Sequence, residues 1–455
     1  MTTILTSPAG QPRPILGDAV ATIAPDRAPD GAPDRAPDLA AAVAGGAFAA
    51  LRSVVGNLGP TGTLLTIVAS GLRGRGGAGY PAGAKWRAVA GAADPVRYVV
   101  GNGYEADPAQ ATNRVLMQAR PFAVVEGIAI AALAVGARQA IIAVRAEYAD
   151  AVAALEAAVF AAEEAGFLGR DILRSGRDVA VTVRTVQGAY MLGEETVLIA
   201  ALEGRRGQPE QRPPYPAERG LWGRPTLVHN VATLASLPWI VTNGADAFRA
   251  IGDPDAPGTV LVGVSGAVAN PGIVEVATGT TLRDLVDLAG GVAAGHTFKA
   301  ALVGGPTGGL LPEELLDTPY SFDALRATGA HVGSGGVVIA DERACVVDLA
   351  RLLVRFGADE ACGKTIPCRI GLRRIAEIGE RFAGGTARPT DPQLLEDLAA
   401  DCAASALCDH ERRAPGPLLT AMRYFRPEID DHILRGTCPA GVCSPIRLAG
   451  AANGR

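Results

Sequence analysis

Short apolar runs alternate with longer amphipathic stretches through the first half of this chain. Residues 97–100, which end at Gly101-Asn102-Gly103, read as a strand, as do residues 139–144 and 179–186. Residues 111–135 and 149–165 repeat their apolar positions every three to four residues and read as helices. This β-α-β-α-β order predicts a mostly parallel sheet with helices packed on its faces. Ahead of it, residues 39–69 are rich in Ala and Leu and read as helical. From residue 259 the texture changes. Residues 260–264 and 272–276 read as strands and 282–289 as a helix, followed by the glycine turn Gly304-Gly305-Pro306-Thr307-Gly308-Gly309. No cation flanks that turn closely, so it reads as structural. Residues 345–434 are helical in period and contain few strand formers.

The expected boundaries follow from these shifts: 1–38, 39–255, 256–338, 339–436 and 437–455. The first segment carries A-P-D-R-A-P-D-G-A-P-D-R-A-P-D, which cannot bury a core and reads as a disordered tail. The rest has ample material for packed cores, with 48% hydrophobic and 20% charged residues in a chain of 455. A net charge of −5 argues against nucleic acid as the main partner. No uninterrupted apolar run is long enough to predict a membrane span. The N-terminus lacks the basic-then-apolar order of a secretory signal, so a cytoplasmic location is expected.

Candidate chemistry concentrates in two places. Residues 71–86 read G-L-R-G-R-G-G-A-G-Y-P-A-G-A-K-W, six glycines with Arg73, Arg75 and Lys85 among them. Glycine lets backbone N–H groups approach an anion, and the cations add charge, so the segment reads as a cradle for a nucleotide-like cofactor. A flexible surface loop is the plain alternative. In parallel sheets ligands sit beyond the carboxyl ends of the strands, where Asn102, Glu105 and residues 188–195 fall. The seven cysteines, Cys345, Cys362, Cys368, Cys402, Cys408, Cys438 and Cys443, all lie in the last quarter. Such clustering in a long chain points to metal or iron–sulfur chemistry, with buried inert thiols as the alternative.

Four ordered motifs carry a resemblance. They are the glycine segment itself, L-G-E-E-T from Leu192, P-P-Y-P-A-E-R-G-L-W-G-R-P-T-L-V-H-N-V-A-T-L from Pro213, and C-G-K-T-I-P-C-R from Cys362 with R-Y-F-R downstream. From about residue 51 onward the chain resembles the NADH-oxidising, flavin-carrying subunit of respiratory complex I. The same family includes subunits of NAD-linked hydrogenases and formate dehydrogenases. The resemblance implies an α/β, Rossmann-like FMN-binding domain, then a β-grasp-type module, then a C-terminal helical bundle with a 4Fe–4S cluster. It implies an NADH dehydrogenase subunit of diaphorase type, in which hydride passes from NADH to FMN and single electrons leave through the cluster to a partner. A non-catalytic scaffold or flavin-binding regulatory subunit is the alternative. Expected partners are other electron-transfer subunits or a ferredoxin-like protein, with the chain peripheral in a larger complex.

Residue by residue, the resemblance assigns FMN contacts to Gly74, Arg75, Gly76, Gly77, Lys85, Asn102, Tyr190, Gly193, Val228, His229 and Asn230. Tyr80 and Tyr215 match rings that hold adenine, Arg212 stands where a lysine commonly assists, and Glu194 and Glu195 match carboxylates near the ribose hydroxyls. Arg212 and Arg219 leave NADPH open as the donor. Glu105 and Asp107 hold carboxylate positions beside the flavin and are the expected catalytic residues, in a positioning role. The metal ligands implied are Cys362, Cys368 and Cys408.

Three positions depart from the family pattern: Ala88 replaces an aromatic ring, Tyr104 an aspartate beside the flavin, and Thr365 the middle cysteine of the ligand motif. With three matched thiolates, the cluster has Cys402 or a non-cysteine group as its fourth ligand, persists with three irons, or is absent. Cys438-Pro-Ala-Gly-Val-Cys443 resembles the entry to a ferredoxin module of hydrogenase-type relatives. The chain ends twelve residues later, so the pair reads as a vestige or a contact for an electron carrier.

Overall fold

A computed structural model describes residues 2–17, 22–23 and 38–443. The chain divides into two compact units. One comprises residues up to 207 with 211–263 and 272–280, and the other 208–210, 264–271 and 281 onward.

In the first unit four parallel strands form a sheet of order β3-β2-β1-β4, with β1 Tyr98–Gly103, β2 Gln139–Arg145, β3 Ala180–Val186 and β4 Thr226–Asn230. Strand β1 is central, pairing Tyr98 with both Gln139 and Thr226, so Asn102 ends level with Asn230 of β4. The β-α-β-α-β expectation therefore holds and gains β4, a short apolar run that closes the sheet beside the site.

Six helices of this unit bear on the site: α1 Gly59–Ala69, α2 Ala82–Ala90, α3 Thr112–Ala119, α4 Pro121–Val135, α5 Ala149–Glu164 and α6 Glu195–Leu202. A seventh, α7 Val231–Asn243, follows directly from β4. The helix expected over 111–135 is two helices bent by 95°. Proline disfavours α geometry in the residue before it, and Arg120, just ahead of Pro121, has φ −133° and ψ 47°.

Every residue of α4 is buried. Its one carboxylate, Glu126, accepts from the amides of Phe48 and Leu51 at 2.8 and 3.0 Å. Gly127 lets α7 approach so closely that a Cβ there would lie 2.0 Å from the Leu234 carbonyl oxygen. Among the described residues, no single helix is long and apolar enough to cross a membrane.

The strands expected over 260–264 and 272–276 form as β5 Thr259–Gly266 and β6 Gly272–Ala277. The expected disordered tail does not describe residues 2–17. Ile4 bridges Ile273, the Leu5 amide donates to the Ile273 carbonyl at 2.7 Å, and Ile15 and Leu16 are buried. Buried Glu275, on β6, accepts from the Ile15 and Leu16 amides at 2.9 and 2.6 Å. The chain thus inserts two apolar side chains by giving their amides a carboxylate partner, which a composition dominated by Pro and Asp hides. The Ala-Pro-Asp repeat, apart from its last residue Asp38, lies outside the described residues.

The second unit contains the antiparallel strands β7 Phe298–Val303, β8 Gly309–Leu311 and β9 Gly336–Asp341, in the order β8-β7-β9. The expected helix over 282–289 forms as Leu282–Leu288, opened by a Thr281–Asp284 capping box. The glycine turn at 304–309 is a buried connection between β7 and β8, in line with its structural reading.

Six helices follow: α8 Val346–Asp359, α9 Leu372–Ala383, α10 Asp391–Ser405, α11 Asp409–Arg413, α12 Gly416–Tyr424 and α13 Arg426–Arg435. Helices α8 and α9 bury one stripe each, Val346, Val347, Ala350, Leu353 and Val354 on the first and Ile375, Ala376, Ile378, Gly379 and Phe382 on the second.

Candidate functional site

The glycine segment folds back on itself between α1 and α2. Arg73 bridges Pro81, the Gly74 amide donates to the Tyr80 carbonyl at 2.9 Å, and the Ala82 amide donates to the Leu72 carbonyl at 2.8 Å. Gly77 and Gly79 adopt φ of 106° and 65°, which L side chains disfavour. The tip is fixed to α7, where the Arg75 amide donates to the Thr233 hydroxyl at 2.8 Å, and a Cβ on Gly76 would lie 3.2 Å from that of Asn230. The loop therefore rests on the carboxyl edge of β4 and the start of α7.

The carboxyl ends of β1 and β4 supply the next layer. Asn102 donates to the Gly193 carbonyl at 3.0 Å and accepts from the Tyr104 amide at 3.1 Å, tying β1 to the turn Tyr190–Gly193. Asn230 caps α7 by accepting from the Ala232 amide at 2.8 Å. Glu194 caps α6 through the Thr196 and Val197 amides at 2.8 and 2.9 Å and pairs with Arg212. Arg212 also reaches Glu195 at 3.2 Å, and Glu195 accepts from Lys85 at 2.5 Å. Lys85 further approaches the Val228 carbonyl at 3.4 Å. Two cations and two carboxylates from separate stretches thus form one chain of ion pairs. Burial pushes the Glu194 carboxyl above its ordinary range, against the Thr196 hydroxyl and Arg212, which favour the charged form.

The rings of Tyr80 and Tyr215 are half exposed, and the Lys85 ammonium lies 6.0 Å from the centroid of Tyr80. Ala88, at the place of a family ring, is exposed on α2.

Four expected contacts have side chains engaged elsewhere. The His229 ring is buried and accepts from the Trp86 indole at 2.9 Å. Burial, reinforced by Lys85, lowers its pKa to about 3, so it is neutral and part of the core. The Arg75 guanidinium turns inward to the Pro257 carbonyl at 2.5 Å, leaving its backbone to the loop. Glu105 is buried at the N-terminus of α3, accepting from the Thr112 hydroxyl and the Asn113 amide at 2.8 and 2.9 Å. Asp107, also buried, accepts from the Ala109 amide at 3.0 Å. Tyr104 is fully buried, its phenol bonded to the Gly188 carbonyl and its ring beneath Arg145. It closes the space between the end of β1 and residue 188.

In the second unit Cys362 follows α8, Cys368 sits in the turn Pro367–Gly371 that enters α9, Cys402 is on α10, and Cys408 precedes α11. The thiols of Cys362 and Cys368 are hydrogen-bonded to each other. Cys362 is the more acidic because Cys368 and the Lys364 amide donate to it. Thr365 donates to Glu411 at 2.5 Å, and the same carboxylate accepts from Ser405 and from the Leu407 amide at 3.1 and 3.2 Å. No motif or spacing marks Glu411 as a partner of Thr365, since it stands among other charges in a short helix. Paired thiols at Cys362 and Cys368 are donors that an iron–sulfur cluster takes, and at the middle position of the motif a hydroxyl bonded to a carboxylate stands in place of a thiolate.

The first unit fits FMN in the same sense. It offers a loop with backbone bare of Cβ atoms, an ammonium and the carboxyl edges of two parallel strands, beside two exposed aromatic rings.

Comparison with known proteins matches the regions in which both groups of residues lie. Residues 67–239 match the Nuo51 FMN-binding domain, 261–310 the SLBB domain, and 348–432 the NADH-ubiquinone oxidoreductase-F iron-sulfur binding region. The HndC subunit of the NADP-reducing hydrogenase of Solidesulfovibrio fructosivorans is 40% identical over 83% of this chain and 77% of its own length. One of the F-type subunits of NADH-quinone oxidoreductase in Rhizobium meliloti is 39% identical over 87% of this chain and 94% of its own. The F-type NADH-quinone oxidoreductase subunit of Mycobacterium bovis is 41% identical over 84% and 86%. Among solved structures, a chain of an NAD+-reducing [NiFe]-hydrogenase in the H2-reduced state superposes with a TM-score of 0.78 at 36% identity. That match covers 85% of this chain and 64% of the hydrogenase chain.

Proposed function

The chain belongs to the family of F-type NADH-quinone oxidoreductase subunits and their hydrogenase relatives, and from that membership we propose the work of its individual residues. The overall reaction is NADH oxidation by an FMN- and iron–sulfur-dependent electron-transfer subunit. When bound, FMN supplies a two-electron acceptor for hydride and the cluster a one-electron carrier.

Gly74, Gly76 and Gly77 present backbone to the cofactor, with Tyr190, Gly193 and Val228 around it. Lys85 sets a positive charge in the pocket, which favours an electron-rich ring. Asn102 and Asn230 hold the two strand ends at a common level. Tyr80 and Tyr215 offer faces for adenine, each stacked pair contributing about 0.5–1.5 kcal/mol. Glu194 and Glu195 accept ribose hydroxyls, and Arg212 keeps both carboxylates in place. Hydride transfer needs no side-chain acid or base, so Glu105 and Asp107 act by shaping the turn from β1 into α3. Cys362, Cys368 and Cys408 hold the cluster. We place the protein in the cytoplasm, at the periphery of a complex with further electron-transfer subunits or a ferredoxin-like partner.

The observation that carries this reading is the loop seated on the end of β4 and the start of α7, with the Lys85–Glu195–Arg212–Glu194 chain of ion pairs. Anaerobic titration with NADH tests it: the flavin absorbance should bleach stoichiometrically. A bound flavin left unbleached by excess NADH would rule it out and favour the non-catalytic reading, to which Thr365 gives its specific support.

A further inference from the structure

Four ligand-type side chains converge at a place separate from both sites above. Cys345 opens α8, His432 lies on α13, and Cys438 and Cys443 belong to the segment after α13. One ligand atom from each lies within 4.8 Å of all the others. The Cys345 sulfur is 3.3 Å from His432 Nε2 and 3.5 Å from the Cys443 sulfur, and the Cys443 sulfur is 3.5 Å from His432 Nε2. Cys438 is in hydrogen-bond contact with both other thiols. Only His432 of the four falls within the stretch matching the iron–sulfur binding region, and none is among Cys362, Cys368, Cys402 and Cys408.

We propose that Cys345, His432, Cys438 and Cys443 bind one zinc ion in a closed, structural Cys3His site. Zinc takes thiolate sulfur at about 2.3 Å and imidazole nitrogen at about 2.0–2.1 Å in a tetrahedron. Tetrahedral geometry then places ligand atoms roughly 3.5–3.8 Å apart, close to the spacing seen before any ion draws them into register. A multi-iron cluster spreads its thiolates further apart than a single ion does. A disulfide needs sulfurs about 2.05 Å apart and no histidine.

The surroundings are those of a prepared ligand set. The fully buried His432 ring has Nδ1 2.8 Å from the Glu428 carbonyl of the preceding turn, which fixes the proton there and leaves Nε2 to face the sulfurs. Between the last two cysteines, Gly441 takes φ +70° and its amide donates to the Cys438 carbonyl at 3.0 Å, a tight turn that brings both thiols to one side. Three thiolates and an imidazole suit zinc by softness and geometry, and four protein ligands leave no open position for substrate. The ion would clip the segment after α13 onto the start of α8 and the last turn of α13, where apolar burial is slight: Cys438 and Cys443 are only partly buried.

The test uses the full chain purified from zinc-replete cells. Metal analysis should give about one zinc per chain beyond any iron, and zinc-edge X-ray absorption should show three sulfurs at about 2.3 Å and one nitrogen at about 2.0–2.1 Å. The double variant Cys438→Ser/Cys443→Ser should lose at least about ten-fold in zinc content while flavin and iron stay at wild-type levels. Should it aggregate, His432→Cys keeps four ligands and should retain zinc with an all-sulfur shell, which a site elsewhere would not show. Zinc-free wild-type protein, mononuclear iron at these residues, or a Cys438–Cys443 disulfide found by mass spectrometry overturns the proposal. Flavin bleaching by NADH is read in the same samples and is independent of these outcomes.

Discussion

His229 shows how much a single residue's role depends on where its side chain points. Motif position makes it a cofactor contact, yet alternation along β4 sends its ring to Trp86. Its pKa is near 3 in the folded protein against about 6.5 when unfolded. Between those values the unfolded chain binds a proton that the native state refuses, so stability is full above pH 6.5 and falls as pH drops toward 3. One such histidine contributes a slope of about 1.4 kcal/mol per pH unit. His229→Gln keeps an acceptor for the indole and removes the titration. Chemical denaturation of both proteins between pH 6 and pH 4 should show the variant's slope smaller by about that amount. Equal slopes would mean that the imidazole titrates normally in the native state.

At the level of elements, close packing rather than propensity sets the critical positions. Residues 121–135 read as helix on periodicity alone, but only the structure shows that α4 meets α7 backbone to backbone at Gly127. With 2.0 Å available to a Cβ there, the cost of a larger residue is borne by two buried helices that cannot separate without opening the core. Gly127→Val should lower unfolding free energy by about 3 kcal/mol, at the upper end of overpacking effects, read as a lower denaturant midpoint. The break at Arg120-Pro121 is legible from the proline rule, whereas the 95° bend depends on what each helix packs against. Strand β4 is hidden because its five residues sit inside a longer functional motif, and five apolar-rich residues alone do not distinguish strand from loop.

For the whole molecule, two compact units with separate cores imply more than one cooperative transition. The three tryptophans, Trp86, Trp222 and Trp239, all lie in the first unit. Urea unfolding followed by tryptophan fluorescence should therefore report that unit alone, while far-ultraviolet circular dichroism reports both. The two curves should not coincide. Superimposable curves would show that the chain unfolds as one cooperative body. Of the seven cysteines, three join His432 at the proposed zinc site, and the other four lie between residues 362 and 408.

Hydrophobic periodicity, glycine placement and motif order by themselves determined the parallel sheet, the helical C-terminal region, the glycine cradle and the family. These are properties of neighbours in the chain, so they survive in one dimension. Which side chains meet was decided only by tertiary structure. Lys85 lies more than a hundred residues ahead of Glu194, Glu195 and Arg212, yet joins them in one chain of ion pairs. Glu105 and His229 are drawn into caps and core, and Cys345 finds His432 and two cysteines some ninety residues away. Charges and thiols act over a few ångströms, and that distance is set by how the elements pack, which no local pattern records.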